Sequence, residues 1–273
     1  MIEAILSYGF MQNAFLAALL GAVAAGIVGT LISVNRLSSL TGSVAHASFG
    51  GLGLAYMLGF SPLIGALTFS LAAALGIGAI SSRYRERSDT AIAAFWAIGM
   101  ALGLVFIKLS EGYAVDLMSY LFGSIMAVPG TDLMLMAVLD VIVVLFVVGL
   151  FKELLAISYD PEFATIQGLR VRLLYLTFLC LVALTVVMLI RVVGLIMVIA
   201  MLAIPPAIAR MFMHDMRRIM WVSMGLSALL SMIGLSVAWY LELPGGASII
   251  LVAGVVYFAA LGTQSAILRR QRA

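Results

Sequence analysis

A chain of 273 residues that is 64% hydrophobic and 10% charged is not a soluble domain, in which about a quarter of the residues carry charge. With a mean hydropathy of +1.22 and about 20 apolar residues per crossing, it has room for about eight or nine membrane helices and none for a soluble domain beside them. The net charge of +3 resides at helix ends and is no signal for nucleic acid, and the single Cys180 excludes a disulfide framework and a cysteine metal site.

In chain order, MIEAILSYGFMQNAF has no basic region before its apolar stretch, which argues against a cleaved signal peptide. Helices are predicted over about 11–34, 37–59, 62–82 and 89–109. The apolar stretch 116–128 is too short to span and reads as re-entrant or interfacial. A helix over about 131–151 precedes a polar segment, 152–171. Helices over about 172–190, 193–212, 217–240 and 247–268 complete the chain. The expected fold is an all-α polytopic membrane protein, one transmembrane domain over 1–273, built as a bundle of 8–9 transmembrane helices with a short helix in the polar segment.

The charges orient it. Arg36; Arg83, Arg85 and Arg87; Lys152, Arg170 and Arg172; Arg210, Arg217 and Arg218; and Arg269, Arg270 and Arg272 all alternate onto one face. Only Lys108 and Arg191 fall on the other, with Glu3, Glu111, Asp132 and Glu242. Positive charge stays inside, so the N-terminus is expected outside and the C-terminus in the cytoplasm. Gly99/Gly103, the Gly21–Ala25–Gly29 stripe and Gly50, Gly51 and Gly53 mark close helix packing and say nothing of function.

Within 152–171, Asp160-Pro161-Glu162 is a helix start: a capping carboxylate, a proline suited to the first helical position and an acid that complements the dipole. A short helix, 162–167, then stops at Gly168. Such a helix on the basic face is either a docking device or a loop helix lying on the bilayer, and the residues alone fit both. Pro205-Pro206 removes two helical N–H donors, so a break or kink is expected there. Irregular backbone at membrane depth belongs beside protein or a cavity, so Met197, Met201, Pro205 and Pro206 are candidates to line a pathway and its gate.

Four segments in order carry a resemblance. YDPEFATIQG (159–168) resembles the cytoplasmic coupling helix of the ABC-3 family, the permease subunits of zinc, manganese and iron ABC transporters. RLSSLTGSVAHA (36–47) resembles the family's second helix, SYLFGSI (119–125) its segment before an outer turn, and VGLIMVIAMLAIPPA (193–207) its PPA helix. The resemblance implies a permease that imports a divalent transition-metal ion as substrate, holds no permanent cofactor, and works in the lipid bilayer of a prokaryotic inner membrane. It implies a second permease copy, a cytosolic ABC ATPase dimer that uses the ATP, and an extracytoplasmic metal-binding protein. Asp160, Pro161, Glu162, Phe163, Ile166 and Gly168 become the ATPase-coupling residues.

One position departs from the pattern. Many zinc and manganese members place an Asp four residues before the helix-2 His, and here that position is Gly42. His46 thus lacks the family's carboxylate partner. Ionisable residues inside membrane helices are functional candidates, and two sit near mid-bilayer, His46 and Asp140. An imidazole and a carboxylate suit Zn²⁺, Mn²⁺ or Fe²⁺, so both are candidate metal residues, with Asp140 replacing the missing acid. The alternatives are a neutral histidine bonded to a neighbouring helix and a neutral or serine-paired structural carboxylate. Asp116 and Asp132 are weaker candidates for an acidic mouth, against solvated loop acids and a helix cap at Asp132. Methionines at helical spacing read as packing rather than copper ligands. There is no GxxxxGK[ST], no HExxH and no Ser/His/Asp set, so neither ATP hydrolysis nor proteolysis is expected of this chain. An ion-gradient-driven secondary transporter and a non-transporting scaffold subunit are the competing classes. The first predicts paired broken helices in two repeats; the second needs no mid-membrane His or Asp.

Overall fold

A computed structural model describes residues 8–83, 88–110, 123, 125 and 128–272. Asp116, Glu111, Arg85, Arg87 and most of the 116–128 stretch lie outside these residues. Among the described residues the chain forms helices α1 (Gly9–Val34), α2 (Ser38–Leu58), α3 (Pro62–Arg83), α4 (Ser88–Leu109), α5 (Gly130–Gly149), α6 (Phe151–Tyr159), α7 (Pro161–Ile166), α8 (Val171–Val193), α9 (Leu195–Phe212), α10 (Met216–Leu241) and α11 (Gly245–Arg272). Eight of them are long and apolar enough to cross a membrane. The other long helix, α2, has 21 residues but carries Ser38, Ser39, Thr41, Ser43 and Ser48. The polytopic all-helical fold expected from the apolar runs is the fold observed.

The chain divides into two compact units. The first takes Met1–Arg36, Ser119–Leu145 and Arg191–Ala273, and the second Leu37–Met118 and Phe146–Ile190.

In the first unit α1 packs against α9 and α10, and α9 also against α11. The small-residue stripe permits this. A Cβ added at Gly26 would lie 2.5 Å from the Met224 backbone nitrogen, and one at Gly29 2.5 Å from the Leu202 carbonyl oxygen. The α1–α10 seam also holds a hydroxyl pair, Thr30 Oγ1 to Ser223 Oγ at 3.4 Å. At its end α1 is capped from α9: Arg210 donates to the Ser33 carbonyl and, at 3.1 Å, to Ser33 Oγ. A guanidinium at a helix C-terminus satisfies an orphan carbonyl and complements the dipole.

Of the break or kink expected at the proline pair, the break is not found. Pro205 and Pro206 lie inside α9, which runs helical from Leu195 to Phe212 without ending at them. Two prolines delete two N–H donors but keep a helical φ. One of the carbonyls they release, that of Leu202, lies against the bare Cα of Gly29, a protein-lined place for an unpaired acceptor. The backbone turns instead at Gly194, between α8 and α9, where φ is +82° and ψ 161°, a conformation open essentially to glycine alone.

In the second unit α2 lies against α3 and α4. Gly50 meets the Gly99 carbonyl and Gly53 that of Gly103, so α2 and α4 run parallel, and the GxxxG of α4 is a packing seam. A Cβ on Gly51 would fall 1.9 Å from the Gly65 carbonyl oxygen, so α3 passes α2 at backbone contact. Within this unit two of the buried hydroxyls of α2 find partners, while Thr41 Oγ1 has none among the described residues. Ser43 Oγ donates to the Ile92 carbonyl at 2.8 Å and Ser48 Oγ to that of Ala45 at 2.6 Å. This makes a polar helix tolerable in an apolar unit.

Candidate functional site

His46 is the ninth residue of α2, near the middle of the helix and half-buried. Two residues of α4, one turn apart, hold it. The Trp96 indole stacks on the imidazole with ring centroids 4.7 Å apart and planes 20° from parallel. Met100 Sδ lies 3.1 Å from His46 Nδ1. An Nδ1–H tautomer donates to that sulfur; an unprotonated Nδ1 faces it with its lone pair. Gly42, one turn before His46, faces the same indole, and an added Cβ would stand 2.4 Å from Trp96 Cζ3. The place where the family pattern puts a carboxylate is thus filled by an aromatic ring from α4. Two parallel helices present i, i+4 pairs to each other, Gly42/His46 and Trp96/Met100. The second pair was not singled out from the sequence. Its one signal, a Trp and a Met at one-turn spacing in an apolar helix, is common to packing faces.

Asp140 belongs to the first unit, at the middle of α5. It is 7% exposed, and its Oδ2 is one of three buried side-chain oxygens without a hydrogen-bond partner among the described residues. A buried polar atom without a partner costs free energy, so the residue is not explained by local bonding. Asp132, in the first turn of α5, is engaged: Arg191 Nη2 stands 3.2 Å from its Oδ1. The arginine neutralises the acid there, and each charge complements the terminus of its own helix. Among the described residues no three His, Cys, Asp or Glu side chains group as a metal cage.

The polar segment folds as two helices. α6 was not anticipated; it buries Leu154 and Ile157, one turn apart. α7 follows the expected construction. Asp160 Oδ1 accepts from the Phe163 N–H at 2.9 Å, and Pro161 opens the first turn. At the other end the Leu169 N–H reaches the Ala164 carbonyl and the Gly168 N–H that of Thr165. This is a Schellman closure, with Gly168 at φ +82°. Ala164 is buried, whereas Phe163 and Ile166 are 52% and 84% exposed. Glu162 adds an acid to the first turn.

The pathway candidates lie inside the first unit. Met197, Met201, Pro205 and Pro206 are all buried, and Ser231 Oγ is 3.9 Å from Met201 Sδ.

A chain that spends nearly all its length on long apolar helices, and keeps ionisable groups for their centres and ends, is in class a polytopic membrane permease. It belongs to the ABC 3 transport family, whose model matches residues 7–264. An uncharacterized membrane protein of Synechocystis is 48% identical over 96% of this chain and 94% of its own. The manganese transport system membrane protein MntC of Listeria innocua is 32% identical over 95% and 92%. PsaBC from Streptococcus pneumoniae, solved in complex with a Fab, matches with a TM-score of 0.84 at 30% identity, covering 95% of this chain and 93% of that one.

Proposed function

We propose that this chain is the membrane-spanning permease subunit of an ABC importer for a divalent transition-metal ion. A separate cytosolic ATPase dimer powers it, an extracytoplasmic metal-binding protein feeds it, and a second copy of the chain completes the path. The family membership supports the transport role, and the Listeria relative, named as a manganese transport system membrane protein, supports a metal as cargo. The basic helix ends face the cytoplasm and the N-terminus the outside.

The observation that carries the reading is α7. A six-residue helix closed at both ends by its own side chain and backbone, with two large apolar residues turned outward, is an anchor left uncovered by the described residues of its own chain. Apolar anchors that fill a pocket are what a docking helix needs, each worth about 2 kcal/mol. In this reading Phe163 and Ile166 enter the ATPase, and the closure of the ATPase reaches the spans through α6 and α8. Replacing both Phe163 and Ile166 with Asp is therefore expected to weaken ATPase docking at least about thirtyfold and to abolish metal uptake, with the permease still folded in the membrane. Unchanged co-purification of the ATPase together with unchanged uptake would refute the assignment.

A further inference from the structure

We propose that His46 and Met100 form the cation-selecting ligand pair of the path, suited to a thiophilic divalent cation of the Zn²⁺ type. Trp96 in turn excludes the carboxylate that would recruit a harder ion. The inference rests on the metal-import reading and names the class of cargo and the residues that choose it.

The donor set decides the class. Imidazole suits Zn²⁺, Cu, Fe²⁺ and Ni²⁺, thioether sulfur favours the softer of these, and Mn²⁺ prefers carboxylate, carbonyl and water. His46 and Met100 offer nitrogen and sulfur, and position 42, one turn before His46, is a glycine covered by the Trp96 ring rather than an acid. The distance fits two ligands of one ion. With a metal–nitrogen distance of about 2.0–2.1 Å and a metal–sulfur distance no shorter than the about 2.3 Å of a thiolate, a tetrahedral centre holds its N and S ligands about 3.5 Å apart or slightly more. The observed separation is 3.1 Å, so a rotamer adjustment of about half an ångström admits the ion, well within the freedom of an unbranched methionine. Both side chains are only partly buried, which leaves them reachable, and two protein ligands completed by water hold an ion loosely enough to release it.

Trp96 supplies the negative half of the selection. Its ring occupies the volume that a side chain at position 42 would enter, with Cζ3 and Cη2 at 2.4 and 2.7 Å from the added Cβ. The same ring stacks on His46 and fixes the plane of the imidazole. Gly42 and Trp96 thus form a matched pair. An acid at 42 needs the indole gone, and the indole at 96 needs no side chain at 42. An imidazole, thioether and indole in contact are also what ordinary packing produces, so the test must read metal preference rather than stability.

The complete transporter, with its ATPase and binding protein, is reconstituted, and Zn²⁺ and Mn²⁺ are compared by equilibrium dialysis and by uptake into proteoliposomes. The wild type is expected to prefer Zn²⁺. Met100→Leu keeps the volume and is expected to lower Zn²⁺ affinity about tenfold or more, as loss of a metal-site group does, with the Mn²⁺ affinity little changed. Met100→Gln, which offers oxygen in place of sulfur, is a second variant expected to shift preference toward Mn²⁺. Gly42→Asp with Trp96→Ala is expected to raise Mn²⁺ affinity, whereas Gly42→Asp alone is not. A Zn²⁺:Mn²⁺ ratio unmoved in both Met100 variants, or a wild type that prefers Mn²⁺, overturns the inference and leaves metal import standing. Uptake of neither ion by the assembled wild type overturns the import reading itself.

Discussion

At the scale of single residues, the informative positions are those where an apolar helix tolerates a group it should reject. Asp140 is the sharpest. It is buried in α5, and its Oδ2 has no partner among the described residues, although a buried acceptor left unmade is costly. Membrane-embedded acids are functional by default, and a divalent ion crossing a low-dielectric path needs negative charge. We therefore assign Asp140 to compensate the charge of the ion in transit. Asp140→Asn keeps the shape and removes the charge. It is expected to leave assembly and ATPase binding intact while uptake falls about tenfold or more; full uptake would make the residue structural. His46 and Asp140 stand out in the sequence as candidates because ionisable groups are rare in hydrocarbon. Trp96 and Met100 do not, because their meaning comes from α2, about fifty residues away in the chain, and neither residue type is unusual in a membrane helix. Asp132 shows the opposite case: its type and place suggested a cation-attracting mouth, but its charge is matched by Arg191, a partner that only the fold supplies.

At the scale of elements, the long helices were legible because a span must be long, apolar and terminated by polar or basic residues, and those constraints leave little choice of boundary. α6 was missed because its apolar pair, Leu154 and Ile157, covers one turn among Lys152, Glu153 and Ser158, too little for a periodic signal. The Pro205-Pro206 pair leaves its helix unbroken for a different reason. A proline's cost depends on whether the released carbonyl finds a tolerable neighbour, and here the absent side chain of Gly29 supplies one for Leu202. Glycine packing was legible as a tendency, but which glycine is indispensable was not. Gly51 lies in backbone contact with Gly65, whereas Gly254 of α11 has open space around it. Adding one methyl separates them. Gly51→Ala is expected to destabilise the second unit by about 1–3 kcal/mol through overpacking, and Gly254→Ala to be neutral or stabilising by up to about 1 kcal/mol. Thermal denaturation of the purified protein in one detergent measures both, and equal melting temperatures would show that the α2–α3 seam yields freely.

At the scale of the whole molecule, the path of the chain between its two units was not legible, because each unit gathers segments far apart in sequence and no local pattern encodes that exchange. The order of crossings was legible, and it decides the one ambiguous helix. α2 is the long helix that falls short of the apolarity of the other eight. If α2 did not cross, Arg36 before it and Arg83 at the end of α3 would lie on opposite faces, and every later basic cluster would change sides relative to Arg36. Positive charge collects on one side, so α2 is expected to cross. Its polarity is carried by the hydroxyl bonds and glycine contacts inside the second unit. With α10 itself long and apolar enough to cross, its two ends are expected to open on opposite sides of the membrane. His214 precedes α10 and Leu243 follows it, and both are exposed. In a Cys180→Ala background, Leu243→Cys is expected to react with a membrane-impermeant thiol reagent added to intact cells. His214→Cys and Phe163→Cys are expected to react only in inside-out vesicles, and Phe163→Cys to be protected there once the ATPase is bound. Labelling of His214→Cys from outside would reverse the orientation, and with it the docking of α7. Labelling of both ends of α10 from one side would show that α10 itself does not cross.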